Sequence, residues 1–344
     1  MARLDDYRQA MHAVFPGVSG EELHRVLDEN GPEFPGFIID YGLGPLWHER
    51  TGREEFLDCR RTAEALYLAQ IHALEELDAV FAAAEIEYIA FKGAANREVL
   101  FSNPALRACH DLDLLVHPGD RLRAAAALMH IGYTLHPDNH SISRELVLRR
   151  GGVDIDLHWG LLRTGRLRVE PVAGMLQRKR RVGTTWMPHA DDALYLLLVH
   201  PAFAKHLAGW NMGLHRVADI VCWLGTQESN WPYVSDLLSR TGVRTAAWAT
   251  LRWAELLTPS HEVVGLHEAL NGFCPGRLRR AWLEKWLHDD MPGRYRDKRW
   301  IRLLGFSAFL HDSVGDVPRA AIGRYRDLRR READLAAFEE LLGE

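Results

Sequence analysis

The sequence predicts an α/β core flanked by helices, with a helical segment before it and a larger all-α domain after it. Short apolar runs of β type, separated by glycine-marked turns, fill the middle of the chain. After residue 182 the apolar residues recur at helical spacing instead. We therefore divide the 344 residues into an N-terminal helical region, 1–84, an α/β core, 85–181, and a C-terminal helical domain, 182–344.

Composition limits the classes of function. A hydrophobic content of 47% with 26% charged residues is ordinary for a globular protein, and a net charge of −5 argues against a broad, sequence-independent grip on nucleic acid. No apolar stretch approaches the roughly 20 residues of a membrane span. The four cysteines show no paired spacing, so we predict neither a zinc site nor a disulfide framework. We expect a cytoplasmic protein without membrane partners.

The first element of the core is a strand that runs directly into a helix. Apolar spacing over residues 54–84 predicts one long helix or two shorter ones, after which residues 87–91 form a buried strand pattern. Lys92 and Gly93 follow, and a helical pattern continues to Leu100. Amides at a helix start attract anions, Gly93 lets a phosphate approach the backbone, and Lys92 adds a charge. The junction predicts a phosphate site, with a surface lysine as the alternative for Lys92.

Two carboxylates stand at the start of the next predicted strand. Asp111 and Asp113 are two residues apart, so a strand places them on one face, while Leu112, Leu114 and Val116 point to the other. In phosphate chemistry Mg²⁺ is held by one or two carboxylates together with the phosphates of the substrate. The pair predicts a divalent-cation site, and a solvated strand end is the alternative.

A third acid lies in a predicted hairpin further along. Two strand-like runs within residues 146–159 flank Gly151 and Gly152, a dipeptide that favours a tight turn. Alternation places Asp154, Asp156 and His158 on one face of the second run. A third acid on a neighbouring strand would permit a second metal ion, and either Asp154 or Asp156 satisfies this pattern.

The order of these motifs resembles that of the bacterial uncharacterised nucleotidyltransferase family, within the polymerase-β-like nucleotidyltransferase superfamily. The resemblance covers roughly residues 60–225. Its motifs, in chain order, are Lys92-Gly93, Arg107, Asp111-Leu-Asp113, Gly132-Tyr133 and Asp156-Leu-His-Trp159.

The resemblance implies a small mixed sheet flanked by helices, and it implies roles for particular residues. Asp111, Asp113 and Asp156 would bind Mg²⁺, or Mn²⁺ in its place, and its Asp-Leu-His-Trp pattern favours Asp156 over Asp154. Lys92 and Gly93 would contact the nucleotide. The superfamily usually has a serine after this glycine, whereas this chain has Ala94.

Two further residues of the resemblance keep alternative roles. Arg107 would either neutralise the triphosphate of a bound nucleotide or pair with an acid. His158 would orient a carboxylate, touch substrate, or be a hydrogen-bonded structural histidine.

The function implied is metal-dependent transfer of a nucleoside monophosphate from a nucleoside triphosphate, with ATP favoured, to a hydroxyl or phosphate acceptor, releasing pyrophosphate. The unidentified acceptor is expected to be a small molecule, peptide or protein rather than nucleic acid, for example a modified peptide in a biosynthetic pathway. One rival is a GT-A-like glycosyltransferase, which also uses an Asp-x-Asp pair. The other is a catalytically idle nucleotidyltransferase-like module that binds a nucleotide or a partner protein.

The C-terminal half is predicted to be helical over residues 213–225, 232–240, 244–257, 262–272, 277–288 and 323–342. We expect residues 190–290 to form one wall of the cleft and to influence acceptor choice. His200, His206 and His215, with Asp219, invite a metal-site interpretation. The six-residue step between the first two histidines does not place them on one helical face, so hydrogen-bonded interhelical groups are favoured.

Overall fold

The computed structural model describes residues 4–136, 144–205, 207, 213–258, 263, 265–288 and 300–343. Its central sheet has the strand order β1-β2-β5-β4-β3. Strands β2 and β5 run parallel, and the other neighbouring pairs run antiparallel, so the sheet is mixed as expected. The strands are β1 (Tyr88–Ala90), β2 (Asp111–Val116), β3 (Thr134–Leu135), β4 (Glu145–Arg150) and β5 (Val153–His158).

The predicted glycine hairpin is confirmed. Strands β4 and β5 pair antiparallel from Arg150 opposite Val153 onward, with two glycines between them. Gly151 and Gly152 both have positive φ, 56° and 83°, a backbone conformation that favours glycine at both turn positions. The turn therefore fixes which residues of β4 lie opposite the acids of β5.

Helices precede the sheet and lie between its strands. The apolar pattern over residues 54–84 forms a single long helix, α5, rather than two. The helix predicted after Gly93 is also present, as α6. The elements up to β5 are α1 (Leu4–Met11), α2 (Gly20–Asn30), α3 (Phe34–Asp40), α4 (Gly44–Thr51), α5 (Leu57–Ala83), α6 (Gly93–Leu100) and α7 (Arg121–His130).

The rest of the described chain is mainly helical, as predicted. An additional antiparallel pair, β6 (Arg180–Val182) with β7 (Thr185–Met187), was not foreseen, because its first strand reads as a run of basic residues. The helices are α8 (Val172–Gln177), α9 (Ala190–Lys205), α10 (His215–Thr226), α11 (Trp231–Thr241), α12 (Arg244–Leu257), α13 (Leu266–Phe273), α14 (Arg277–His288), α15 (Trp300–Phe309) and α16 (Asp316–Gly343).

Two hydrophobic clusters meet at the sheet. One contains Leu77 of α5 together with Leu114 and Ile155 of the sheet. The other joins the first helices of the chain to the C-terminal helices, and it also includes Phe91 and Leu115. Because Leu114 and Leu115 point to opposite faces of β2, each face of this strand contacts a different core. The division of the chain at residues 84 and 181 stays a prediction.

Several tryptophans of the C-terminal half are packing residues. Trp223, Trp248 and Trp253 are each at most 5% exposed and belong to the helical cluster. Within the described residues, no helix combines the length and the apolarity needed to cross a membrane.

Candidate active site

The acids of two parallel strands lie side by side. Asp113 of β2 is directly opposite Asp156 of β5, and Asp111 is opposite Asp154. Alternation along both strands directs this row to one face of the sheet. Ligand atoms of Asp113, Asp156 and His158 lie within 4.8 Å of one another, the separation expected of groups that share a metal ion. Asp111 lines the same cavity as these three residues.

Asp113 is the centre of a network of hydrogen bonds. Its Oδ1 accepts a bond from the Lys92 ammonium at 2.5 Å and lies 2.9 Å from Nε2 of His158. The same nitrogen of His158 is 3.2 Å from Lys92, and Nδ1 lies 3.3 Å from Glu145. His158 thus contacts carboxylates, a geometry that fits both the orienting role and the hydrogen-bonded structural role left open for it. Lys92, expected to face phosphates, here contacts an acid.

The charge of the three acids is only partly compensated. Burial alone would raise the pKa of Asp113, but the Lys92 ammonium and His158 hold it well below its usual range. Burial and the neighbouring charge of Asp113 raise the pKa of Asp111. Burial, then Asp113 and Asp111, raise the pKa of Asp156 to about 8. A buried carboxyl with a raised pKa is a group whose ionised form requires a further cation.

Asp154 is directed to a different partner. Arg149, its neighbour on β4, donates two hydrogen bonds to it, at 2.5 Å and 2.6 Å, and this pairing lowers the pKa of Asp154. Asp154 does not line the cavity that contains Asp111, Asp113 and Asp156. The geometry therefore favours Asp156 as the third acid of the site.

The junction between β1 and α6 is a tight turn against the acids. Lys92 precedes the helix with φ of 53°, which is unusual for a residue with a side chain. A Cβ at Gly93 would lie 2.7 Å from Nη1 of Arg107 and 2.8 Å from Sγ of Cys109. A side chain at this position would force Arg107 or Cys109 to shift.

Arg107 is held by an acid of the C-terminal helices. Its Nε and Nη2 donate to the two oxygens of Asp219 on α10, at 3.1 Å and 2.8 Å. Asn96 of α6 donates to the same carboxylate at 3.0 Å. All three side chains are buried. The acid-pairing alternative for Arg107 is therefore realised, and any contact with a nucleotide stays a prediction.

Two cavities meet at the acids. The first, of about 170 Å³, is lined by the three acids together with Glu145, Arg163 and Arg166, among others. The second, of about 360 Å³, is lined by Gly93, Arg107 and His110 and by the chain segment 39–42. Lys92, Asp111, Asp113 and Arg216 line both cavities.

Four charged residues that line the first cavity were not singled out from the sequence: Glu145, Arg163, Arg166 and Arg216. Glu145 lies opposite His158 in the register that the Gly151-Gly152 turn sets. The predicted hairpin was therefore sufficient to place Glu145 beside His158. The arginines follow β5 or begin α10, and no local pattern distinguishes them from the other arginines of the chain.

The histidines considered as metal ligands do not form a metal cluster in the described part of the chain. His206 lies outside the described residues. Asp219 makes the interhelical hydrogen bonds that we favoured. His200 and His215, however, each have a buried Nδ1 that bonds to no group of the described chain; His200 lines the first cavity and His215 the second. Burial lowers the pKa of both histidines.

A mixed sheet, a glycine junction beside it and acids on parallel strands are the features of a nucleotidyltransferase core. The model of the family described as "Uncharacterised nucleotidyltransferase" matches residues 48–259. The chain therefore belongs to the uncharacterised nucleotidyltransferase family, as its motifs indicated. Neither a curated protein nor a solved structure matches it.

Proposed function

We propose that the protein transfers a nucleoside monophosphate from a nucleoside triphosphate, ATP in the first instance, to an acceptor that is a small molecule, peptide or protein. The acceptor oxygen would form a bond to the α-phosphorus while the bond from that phosphorus to the α–β bridging oxygen breaks. Pyrophosphate would leave, and the proton of a hydroxyl acceptor would pass to solvent. Family membership supports nucleotidyl transfer in general, and the acid row supports this particular form of it.

The observation that carries the proposal is the crowding of Asp111, Asp113 and Asp156 in one cavity. Lys92 is the ammonium that contacts Asp113, which leaves Asp111 and Asp156 with raised pKa values. Retaining two such carboxylates is unfavourable unless a cation joins them. Structural acids would instead be paired one by one, as Asp154 is with Arg149.

The donor set fits a hard divalent ion. Asp111, Asp113 and Asp156 would hold Mg²⁺ or Mn²⁺ through carboxylate oxygens, with His158 beside them as an orienting group. Such ions, when bound, neutralise phosphate charge and increase the acidity of a coordinated hydroxyl.

The chain's own residues supply the remaining parts. The start of α6, with Gly93 at its first position, borders the second cavity, and a helix start favours an anionic phosphate. Lys92 lies between the two cavities and would exchange part of its contact with Asp113 for a contact with phosphate. Asp219 fixes the guanidinium of Arg107 at the edge of the same cavity.

An idle module that binds a nucleotide or a partner protein is the second candidate. Two observations favour it: Ala94 replaces the usual serine, and the Lys92 ammonium already neutralises Asp113. The idle module would bind a nucleotide without releasing pyrophosphate.

The test is turnover with labelled nucleotides. Wild-type protein is incubated with each α-³²P nucleoside triphosphate and Mg²⁺ or Mn²⁺ in cell extract, and pyrophosphate release and labelled products are scored. The double variant Asp111→Asn/Asp113→Asn should be inactive. Asp154→Asn is the matched control, because this acid lies on the same strand as Asp156 but outside the cavity, and it should retain activity. Nucleotide binding without turnover in any extract would favour the idle module.

A further inference from the structure

The two cavities beside the acids differ in what lines them. Asp156 lines only the smaller cavity, whereas Gly93 and Arg107 line only the larger one of these two. Under the proposed function, on which this inference rests, the larger cavity beside the start of α6 takes the triphosphate. The smaller cavity, on the side of the third acid, then takes the acceptor.

The smaller cavity also contains Arg166, a guanidinium that pairs with no carboxylate of the described residues. Arg166 donates to the backbone oxygen of Phe203 at 2.5 Å and stacks over that ring at 5.4 Å. It has no carboxylate partner among the residues that the structure describes. Burial, followed by the like charges of Arg163 and Arg324, lowers the pKa of Arg166 to about 9.

Arg216 is in a similar position at the boundary of the cavities. Its Nε is buried and has no hydrogen-bond partner among the residues that the structure describes. Burial and the neighbouring charge of Arg107 lower its pKa, although Asp113 and Asp111 partly oppose that effect. Arg216 therefore lies near carboxylates, but its Nε donor is free for a ligand, and phosphate and carboxylate groups match the planar donors of a guanidinium.

Nearby arginines behave differently. Arg144, Arg149 and Arg150 each pair with a carboxylate of the chain, and Arg144 does so with Glu170 at 2.6 Å. Within the described part of the molecule, Arg166 thus differs from these three arginines in having no carboxylate partner.

The loop that carries Arg166 is fixed against the last helix. Thr164 donates through its backbone N–H and its hydroxyl to Asp327 of α16, at 2.9 Å and 2.5 Å. Arg319 donates to the backbone oxygen of Gly165 at 3.1 Å. A Cβ at Gly323 would collide with the carbonyl oxygen of Thr164, so the helix and the loop pack closely. Arg166 is thus held in place before any ligand binds, which favours recognition over a flexible surface contact.

We infer that the acceptor carries an oxyanion, a phosphate or a carboxylate group, which Arg166 and Arg216 bind in the cavity lined by Asp156. The nucleophilic oxygen of the acceptor would then lie near the acids while its anionic group rests against the arginines. A neutral acceptor would leave the charge of Arg166 without a partner.

The test measures binding rather than turnover. Full-length protein with Mg²⁺ and saturating α,β-methylene-ATP is titrated with phenyl phosphate, with phenylacetate, and with neutral benzyl alcohol, and binding is followed by calorimetry. The same titrations without nucleotide separate this inference from the proposed function. We expect phenyl phosphate or phenylacetate, but not benzyl alcohol, to bind while the nucleotide remains bound, and the responding compound identifies the oxyanion.

Variants then locate the binding site. Arg166→Gln should weaken oxyanion binding by about tenfold or more, the usual effect of losing a hydrogen bond to a charged group, and change nucleotide affinity by less than about twofold. Arg149→Gln is the matched control, since this arginine lies outside both cavities, and it should change neither. If Arg166→Gln does not fold, Arg163→Gln tests the same cavity.

Three results would overturn the inference. Displacement of the oxyanion by the nucleotide would show that the arginines hold the triphosphate. Arg166→Gln would show the same if it lowered the affinities for oxyanion and nucleotide equally. Failure of both oxyanions to bind wild-type protein, with or without nucleotide, would show that the cavity does not recognise an anionic acceptor. Oxyanion binding in a protein that binds no nucleotide would instead count against the proposed transferase and leave the anion site in place.

Discussion

Neutralising Asp156 should stabilise the protein when no metal is present, and the effect should grow with pH. In the folded chain, burial and the charges of Asp113 and Asp111 raise the pKa of Asp156 to about 8, whereas in the unfolded chain it titrates near about 4. Between these values the folded state keeps a proton that the unfolded state has released. Wild-type stability therefore falls as pH rises through this window, and Asp156→Asn does not undergo that loss.

The magnitude follows from the size of the shift. pH 7 lies about three units above the pKa of Asp156 in the unfolded chain. At about 1.4 kcal/mol per unit, the loss of stability in the wild type has an upper limit of about 4 kcal/mol. Because Asp156 is only partly buried and lines a cavity of about 170 Å³, relaxation and access of water should reduce this to about 2 kcal/mol. The difference between variant and wild type should vanish near pH 4 and reach its maximum near pH 8.

Urea unfolding of wild type and Asp156→Asn in EDTA, at intervals from pH 4 to pH 8, measures the effect. Asp154→Asn is a control with the opposite sign, because Arg149 lowers the pKa of Asp154. Losing that partly exposed pair should cost about 0–1 kcal/mol above pH 4. Two results would refute the electrostatic reasoning. The difference in unfolding free energy between Asp156→Asn and wild type would not change with pH, or the variant would be less stable than wild type at pH 8.

Three further predictions concern the neighbours of the acids. Asp219→Asn should destabilise the protein by about 3–5 kcal/mol in urea unfolding, because the buried Arg107 would lose its carboxylate partner; a loss below about 1 kcal/mol would contradict a buried ion pair. Lys92→Gln should increase the shift in melting temperature caused by Mn²⁺, because the ammonium no longer competes for Asp113; an unchanged shift would show that Lys92 and the ion do not share this acid. Gly93→Ala should cost about 1–3 kcal/mol, since the added methyl group meets Arg107; calorimetric unfolding that matches wild type would show that the turn adapts freely.

Much of the core could be predicted from the sequence because short-range rules govern it. The Gly151-Gly152 turn and period-2 alternation place Asp156 on the acid face, and the structure agrees. The choice between Asp154 and Asp156 was also accessible: the two-residue turn sets Arg149 opposite Asp154, which predicts their ion pair. Alternation alone shows which residues share a face, whereas the register of the hairpin also shows which residue of the neighbouring strand each one pairs with.

The remainder depends on long-range packing. Arg166, in the loop after β5, and Arg216, at the start of α10, line one cavity with the acids, and no local spacing in the sequence encodes that arrangement. Lys92 was assigned to phosphate from its position beside a helix start, yet its side chain reaches Asp113 on the neighbouring strand. The direction of a long, flexible side chain depends on the charges that surround it in the folded protein.

The most direct test of the acid site is a Mn²⁺ titration followed by electron paramagnetic resonance, with and without α,β-methylene-ATP. We predict Mn²⁺ binding that the nucleotide analogue strengthens, that Asp111→Asn/Asp113→Asn abolishes and that Asp154→Asn preserves. Mn²⁺ binding that is equal in wild type and the double variant would contradict the account, and so would its absence from the wild-type protein in the presence of nucleotide.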